Sequence, residues 1–319
     1  MYHHTEDIDR KNTQDVSEID DQIRLLVNRS INALSNSSKR DATFDSLIET
    51  VLLTFIGTHK SIMLLLKQAD SDSDYASDAM SLVREQVEKV FVLILILDNP
   101  QKWIQVYFKD DWRRFYEYEV LLNSEERKNL EEFQMNEQRE KDLQEYQNAI
   151  GVSDLEKEWV EFKFNNPGAA IPQHLEGAAI VGFPTPGNVR KCMENKSAEE
   201  FLIRLHKEYK RICGYSHIGL DKLQVTAMRV TTNNISESNK GVFVEQALKM
   251  PVLWTSYLAI ACACTELYKS LQQYDPDVSR TGDLLEALFE IWFVLEQKCL
   301  LGKVFWDVRA KKILPPLIR

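Results

Sequence analysis

From Thr43 to Leu97, apolar residues return at helical intervals with hardly a break. Leu47, Val51, Phe55, Ile62 and Leu66 form one stripe, widened by Ile48, Leu52 and Leu65. A period near 3.6 held over that length predicts a helix packed along one face, and it excludes strands of alternating character. After a Ser/Asp-rich turn at 69–74, Tyr75 to Leu97 carries Ala79, Leu82, Val83, Val87, Val90, Phe91, Ile94 and Leu95. Its second half is apolar almost all round, so this helix belongs at the centre of a bundle. Asn99-Pro100 ends it.

The remaining chain repeats the theme. Ile19, Ile23, Leu26, Ile31 and Leu34 predict a helix over 17–35, preceded by a polar segment, 1–15, read as poorly ordered. Trp103 to Leu122 is aromatic, with Arg113 and Arg114 interleaved. Such a run stacks bases or forms a packing face with a basic exterior, and both readings stay open. Ser124 to Ala149 reads as a charged helix, a solvated arm or an oligomer face. Ser153 to Phe164 predicts a short helix whose apolar residues are Leu155, Trp159 and Phe162. Residues 165–189 hold Pro167, Gly168, Pro172, Gly177, Gly182, Pro184, Pro186 and Gly187, a loop insertion matching no phosphate-binding fingerprint. Helices follow over 242–271, with Pro251 as a kink or a new start, and over 283–301, before a basic tail ending near Pro315-Pro316. The expected fold class is all-α, a multi-helix bundle with a Pro/Gly-rich loop insertion.

Only 11 Gly and 9 Pro in 319 residues leave few turns for any other architecture. A net charge of −10 implies no broad basic face for duplex DNA, although a local cleft for RNA is compatible with it. Cys192, Cys213, Cys262, Cys264 and Cys299 are scattered without zinc spacing, so no metal or other cofactor is expected and reduced thiols fit a cytoplasmic protein. The polar, acidic start does not resemble a signal peptide. Val90 to Leu97 is too short to span a bilayer, and no membrane association is expected.

One stretch suggests chemistry. Phe201, Leu202, Leu205, Tyr209 and Ile212 make an amphipathic helix, with Ser197 and Glu200 resembling a capping box and Gly214 a stop. Arg211 then lies six positions before His217, with Tyr215 and Ser216 between. A histidine takes or gives a proton near neutrality, and an arginine grips a phosphate with parallel hydrogen bonds. Together they suit metal-free RNA cleavage through attack of the 2′-hydroxyl. The competing reading is a histidine that caps carbonyls and an arginine in solvent or in an ion pair. Two further polar features interrupt apolar helices. His59 lies on the inward face of 43–67, where a satisfied core ring competes with a catalytic one. Arg84 and Glu88, four apart, form either an internal ion pair or a polar patch lining a cleft.

The segments GTHKSIMLLLKQ and YASDAMSLVREQVEKVFVLILIL, carrying His59-Lys60 and Arg84 with Glu88, and then Tyr215-Ser216-His217, resemble a bacterial all-helical family of unknown function. That family looks related to HEPN domains, and Arg211 with His217 matches the HEPN nuclease spacing, with Ile212 where many members have a polar residue. The resemblance spans about 43–275. It implies a HEPN-like domain over 43–275 containing the 165–189 insertion, flanked by 1–42 and by a helix and tail, 276–319, packed on the same domain. It further implies an endoribonuclease acting as a toxin or effector in bacterial defence, with RNA as partner. Arg211 and His217 would be catalytic in a homodimer or beside a partner protein of the defence system. Arg84, Glu88, His59, Tyr215 and Ser216 would support the cleft. The alternative is a non-catalytic helical interaction or scaffold protein of a bacterial multi-protein system.

Overall fold

The structure, a computed structural model, describes residues 3–37, 42–68, 74–122, 137–216, 249–275 and 282–314. Every regular element among them is helical. The chain parts into two compact units, one of 1–98 with 186–319 and one of 99–185. The division falls inside the span 43–275 read as one domain.

In the larger unit, α1 (His3–Ser35), α2 (Ala42–Gln68), α3 (Asp74–Asp98), α7 (Pro186–Cys192), α8 (Glu199–Ser216), α9 (Met250–Tyr274), α10 (Gly282–Lys298) and α11 (Leu300–Phe305) assemble around α3 and α9. The helix α3 packs against α2, α7, α8 and α9, and its apolar second half is buried from Leu93 to Leu97. The expectation of a central helix holds for the reason given: a helix apolar all round has no face to give to water. The helix α9 is buried almost throughout from Val252 to Leu267. Pro251 stands in its first turn, where proline's fixed φ suits the helix and its missing N–H is not needed.

Some expectations change. Helix α1 begins at His3, so most of the polar segment joins the helix that the apolar stripe of 19–34 anchors. Helix α8 continues through Gly214 to Ser216. Its entry is not capped by Ser197. Asn195 caps a short 3₁₀ turn, Lys196–Ala198, by accepting from the Ser197 N–H at 2.9 Å. The predicted helix 283–301 breaks at Cys299 into α10 and α11. Gly302 makes that break possible, since a Cβ there would lie 2.0 Å from the Leu295 carbonyl oxygen.

Among the described residues, two helices are long and apolar enough to cross a membrane by length and composition, Ala42–Gln68 and Met250–Gln273. The most apolar window of the second is 83% buried, that of the first only 39%. Helix α9 is therefore core, whereas α2 carries apolar surface outward.

In the smaller unit, α4 (Pro100–Tyr116) runs into a π turn (Glu117–Leu122), followed by α5 (Glu137–Ala149), α6 (Asp154–Asn165) and the loop to 185. Asn99 caps α4, with Pro100 in the first turn. Gly151, at φ 68°, closes α5 with a Schellman pair, Val152 N–H to Gln147 O and Gly151 N–H to Asn148 O. Ser153 and Glu156 then form the capping box that starts α6. The core is Trp112 stacked on Tyr116, with Leu143, Val152, Val160 and Ile180. Val160, and not the exposed Leu155, is the buried anchor of α6. The Pro/Gly-rich loop is fixed by Phe183, whose ring sits edge-on to Trp103 and Tyr107.

Candidate functional site

The predicted polar groups occupy three separate faces. On α3, Arg84 and Glu88 face α8. Arg84 Nε donates to Glu88 Oε1 at 3.1 Å, and the Tyr209 hydroxyl donates to the same oxygen at 2.7 Å. Burial and this bond to a carboxylate push the Tyr209 phenol up, and the Cys213 side chain is hydrogen-bonded to it. Gln86 is two residues from Arg84, about 200° round the helix, and points into the core.

That opposite face holds a second network. His59 is 1% exposed. Its Nε2 lies 2.8 Å from Asp20 Oδ1 and its Nδ1 2.9 Å from Ser256 Oγ. Gln86 Nε2 donates to the Phe55 carbonyl at 3.1 Å, which turns Gln86 Oε1 towards Ser256, and the Ser256 hydroxyl donates to it at 2.7 Å. With its one proton given to Gln86, Ser256 Oγ accepts from His59 Nδ1–H. Asp20 Oδ1 faces Nε2, so both ring nitrogens are engaged. The hydrogen bond from His59 holds the Asp20 carboxyl below the usual aspartate range, aided by Arg24 at 2.5 Å. Acid, imidazole and hydroxyl here superficially match a nucleophilic triad. They cannot act as one, because Ser256 is fully buried and its proton points away from the ring. His59 thus does not share a cleft with Arg84.

Arg211 takes the third face. Tyr209 and Cys213 share one side of α8, and Arg211 lies about 200° round from Tyr209. Its Nε donates to Glu208 at 2.8 Å, with the Arg211 side chain 33% exposed. The pair lies near Cys299, whose thiol is pushed up by burial, with Glu208 adding to this and Arg211 opposing it. Arg211 and Arg84 therefore diverge. His217, and the side chains of Tyr215 and Ser216, lie outside the described residues.

On α4, the arginines among the aromatics are already matched. Arg113 meets Asp110 at 2.6 Å and Glu117 at 3.0 Å, and Arg114 meets Asp110 at 2.9 Å. Trp103, Trp112 and Tyr116 are buried, so the packing-face reading holds for them.

Sequence reading missed one constellation. Arg309, 4% exposed, donates twice to Glu266, from Nε at 2.5 Å and from Nη2 at 2.7 Å. Its Nη1 reaches the Ser197 carbonyl at 3.1 Å, fastening the C-terminal π turn (Trp306–Ala310) to α9 and to the entry of α8. The available signal was Glu266 itself, an acid in the apolar run from Leu258 to Leu267. Beside this pair opens a cleft of about 50 Å³, lined by Asp98, Asn195, Lys269 and Gln273 among others. Among the described residues, no group of three or more His, Cys, Asp or Glu side chains could hold a metal ion.

Comparisons with protein-family models, with curated proteins and with solved structures find no match.

Proposed function

We propose that this chain is a non-catalytic helical interaction module that pairs with a second copy of itself through α2. The observation that carries this reading is the outward seam of α2. Ser46, Thr50, Leu53, Gly57, Lys60, Leu64 and Lys67 follow one another at alternating intervals of four and three, and all are exposed. Leu53 and Leu64 are 54% and 61% exposed. The Thr50 and Ser61 hydroxyls turn back onto carbonyls of their own helix, leaving a smooth surface, and nothing lies within 4 Å of a Cβ built on Gly57.

The seam is self-complementary when two copies run antiparallel about a point between Thr58 and His59. Leu53 then faces Leu64 of the other copy twice, Gly57 admits the stem of Lys60, and Glu49 lies beside Lys67 at both ends. Sedimentation analysis tests this. The chain should be dimeric, Leu53→Glu with Leu64→Glu should be monomeric, and Glu49→Lys should weaken a dimer that Lys67→Glu then restores. A monomeric wild type, or a chain that floats with anionic vesicles through α2, overturns the reading.

A second reading is endoribonuclease, favoured by the partial exposure of Arg211 on α8, six residues before His217 in the sequence. It requires RNA cleavage in the presence of a chelator, abolished by His217→Ala without loss of thermal stability.

A further inference from the structure

The geometry points to the cleft beside Arg309 as a binding site for a small oxyanion, such as inorganic phosphate or the terminal phosphoryl or carboxylate group of a metabolite. Lys269 and Arg309 converge there on one hydroxyl. Lys269 Nζ and Arg309 Nη1 each lie 3.5 Å from Ser197 Oγ. Ser197 accepts from both cations, and its own proton is left to donate outward. Lys269 and Arg309 both line the cleft, and with one contact to Ser197 the Lys269 ammonium keeps further N–H groups for a ligand there.

Lys269 is what such an anion would satisfy. Arg84, Lys89, Lys109, Arg113, Arg211 and Arg309 are all partly or fully buried, and each has a carboxylate oxygen within 3.1 Å. Lys269 has none within salt-bridge distance among the described residues. Burial and the nearby Arg309 push its ammonium pKa down, with Glu266 and Asp98 opposing. Both of those acids are engaged elsewhere. Glu266 is held by the two bonds from Arg309, and Asp98 accepts from the backbone N–H groups of Glu194 at 2.7 Å and Asn195 at 3.1 Å. They lower the net field without supplying Lys269 with a partner. Since about 10–15 Å³ of such space holds one water, the cleft of about 50 Å³ accommodates a single tetrahedral anion but not a nucleoside. Asn195 and Gln273 add amide groups to its lining.

This inference stands apart from self-association, since α2 does not line the cleft. The test is calorimetric titration of the full chain with inorganic phosphate, against chloride at equal ionic strength, together with thermal unfolding in both salts. Phosphate should bind and raise the unfolding temperature, while chloride should not. Lys269→Met should weaken phosphate binding by about tenfold or more, the worth of a hydrogen bond to a charged group. Lys269→Arg should retain binding. Ser197→Ala, at an exposed position, should weaken it several-fold, and it replaces Lys269→Met if that variant does not unfold cooperatively. Equal responses to phosphate and chloride overturn the inference. So does phosphate affinity unchanged in Lys269→Met, or unchanged in Ser197→Ala where that variant stands in.

Discussion

The two faces of α3 carry similar chemistry in opposite circumstances. Towards α8, Arg84 and Glu88 meet at 3.1 Å with side chains 33% and 35% exposed. Towards the core, Gln86 closes a chain of hydrogen bonds through Ser256 and His59 to Asp20, with every side chain at or near full burial. Water can replace the partners of the first set and cannot replace those of the second. A polar residue within an apolar helix therefore tells nothing of its role until its face is known. The buried set commits its members so fully that none is left for a substrate. Arg309 with Glu266 is buried as deeply, at 5% and 6% side-chain exposure.

This contrast predicts graded losses. The largest is Arg309→Met, which strands Glu266 in the interior and should cost about 3–5 kcal/mol. Adding Glu266→Leu should recover much of that loss, because an apolar pair of similar volume often does as well as a buried ion pair. Chemical denaturation of the single and double variants measures both. A single variant that loses less than about 1 kcal/mol, the scale of exposed pairs, would place Arg309 with the surface arginines.

Next is Asp20→Asn, read through pH. The carboxyl of Asp20 is held below its ordinary value, chiefly by the bond from His59. Its contribution is therefore complete above the unfolded-state value of about 3.9, and it is lost as the pH falls through the lower native value. The variant should be clearly less stable than wild type at neutral pH. The gap should close below about pH 4 as the wild type loses the same interaction. A gap independent of pH would mean that Asp20 matters only for its shape.

These groups also mark the limit of what the sequence discloses. The stripes of Leu47–Leu66 and Ala79–Leu95 lead directly to α2 and α3, because periodicity is local. Asn99-Pro100 and Ser153 with Glu156 likewise fix helix ends within a few residues. His59 is recognisable as an inward residue. Its partners are 39 and 197 positions away, and no spacing rule joins them. The family resemblance puts Arg84 in one cleft with Arg211. Which side of α8 meets α3 decides the matter, and that is settled by packing. Ser197 shows the same limit at short range. Its hydroxyl suits a helix cap, yet Asn195 takes that role, and Arg309, over a hundred residues away, approaches the hydroxyl instead.

The smallest effect belongs to Arg84→Ala and Arg211→Ala, and it discriminates most between readings. Each guanidinium is about one-third exposed and bonded to an acid on its own helix. Such pairs contribute at most about 1 kcal/mol, and less in high salt. Both variants should unfold close to wild type, and the small difference should shrink further as salt is added. Arg84→Ala should show the larger loss, because Glu88 also accepts from Tyr209 and so links α3 to α8. Arg211→Ala breaks a bond within one helix, to Glu208 three residues away on α8. For an interaction module, neither change alters dimerisation through α2. For a nuclease, Arg211→Ala abolishes RNA cleavage at unchanged stability, and Arg84→Ala leaves it intact because the two arginines point apart. Cleavage lost on both substitutions would contradict the divergence of the two faces of α8.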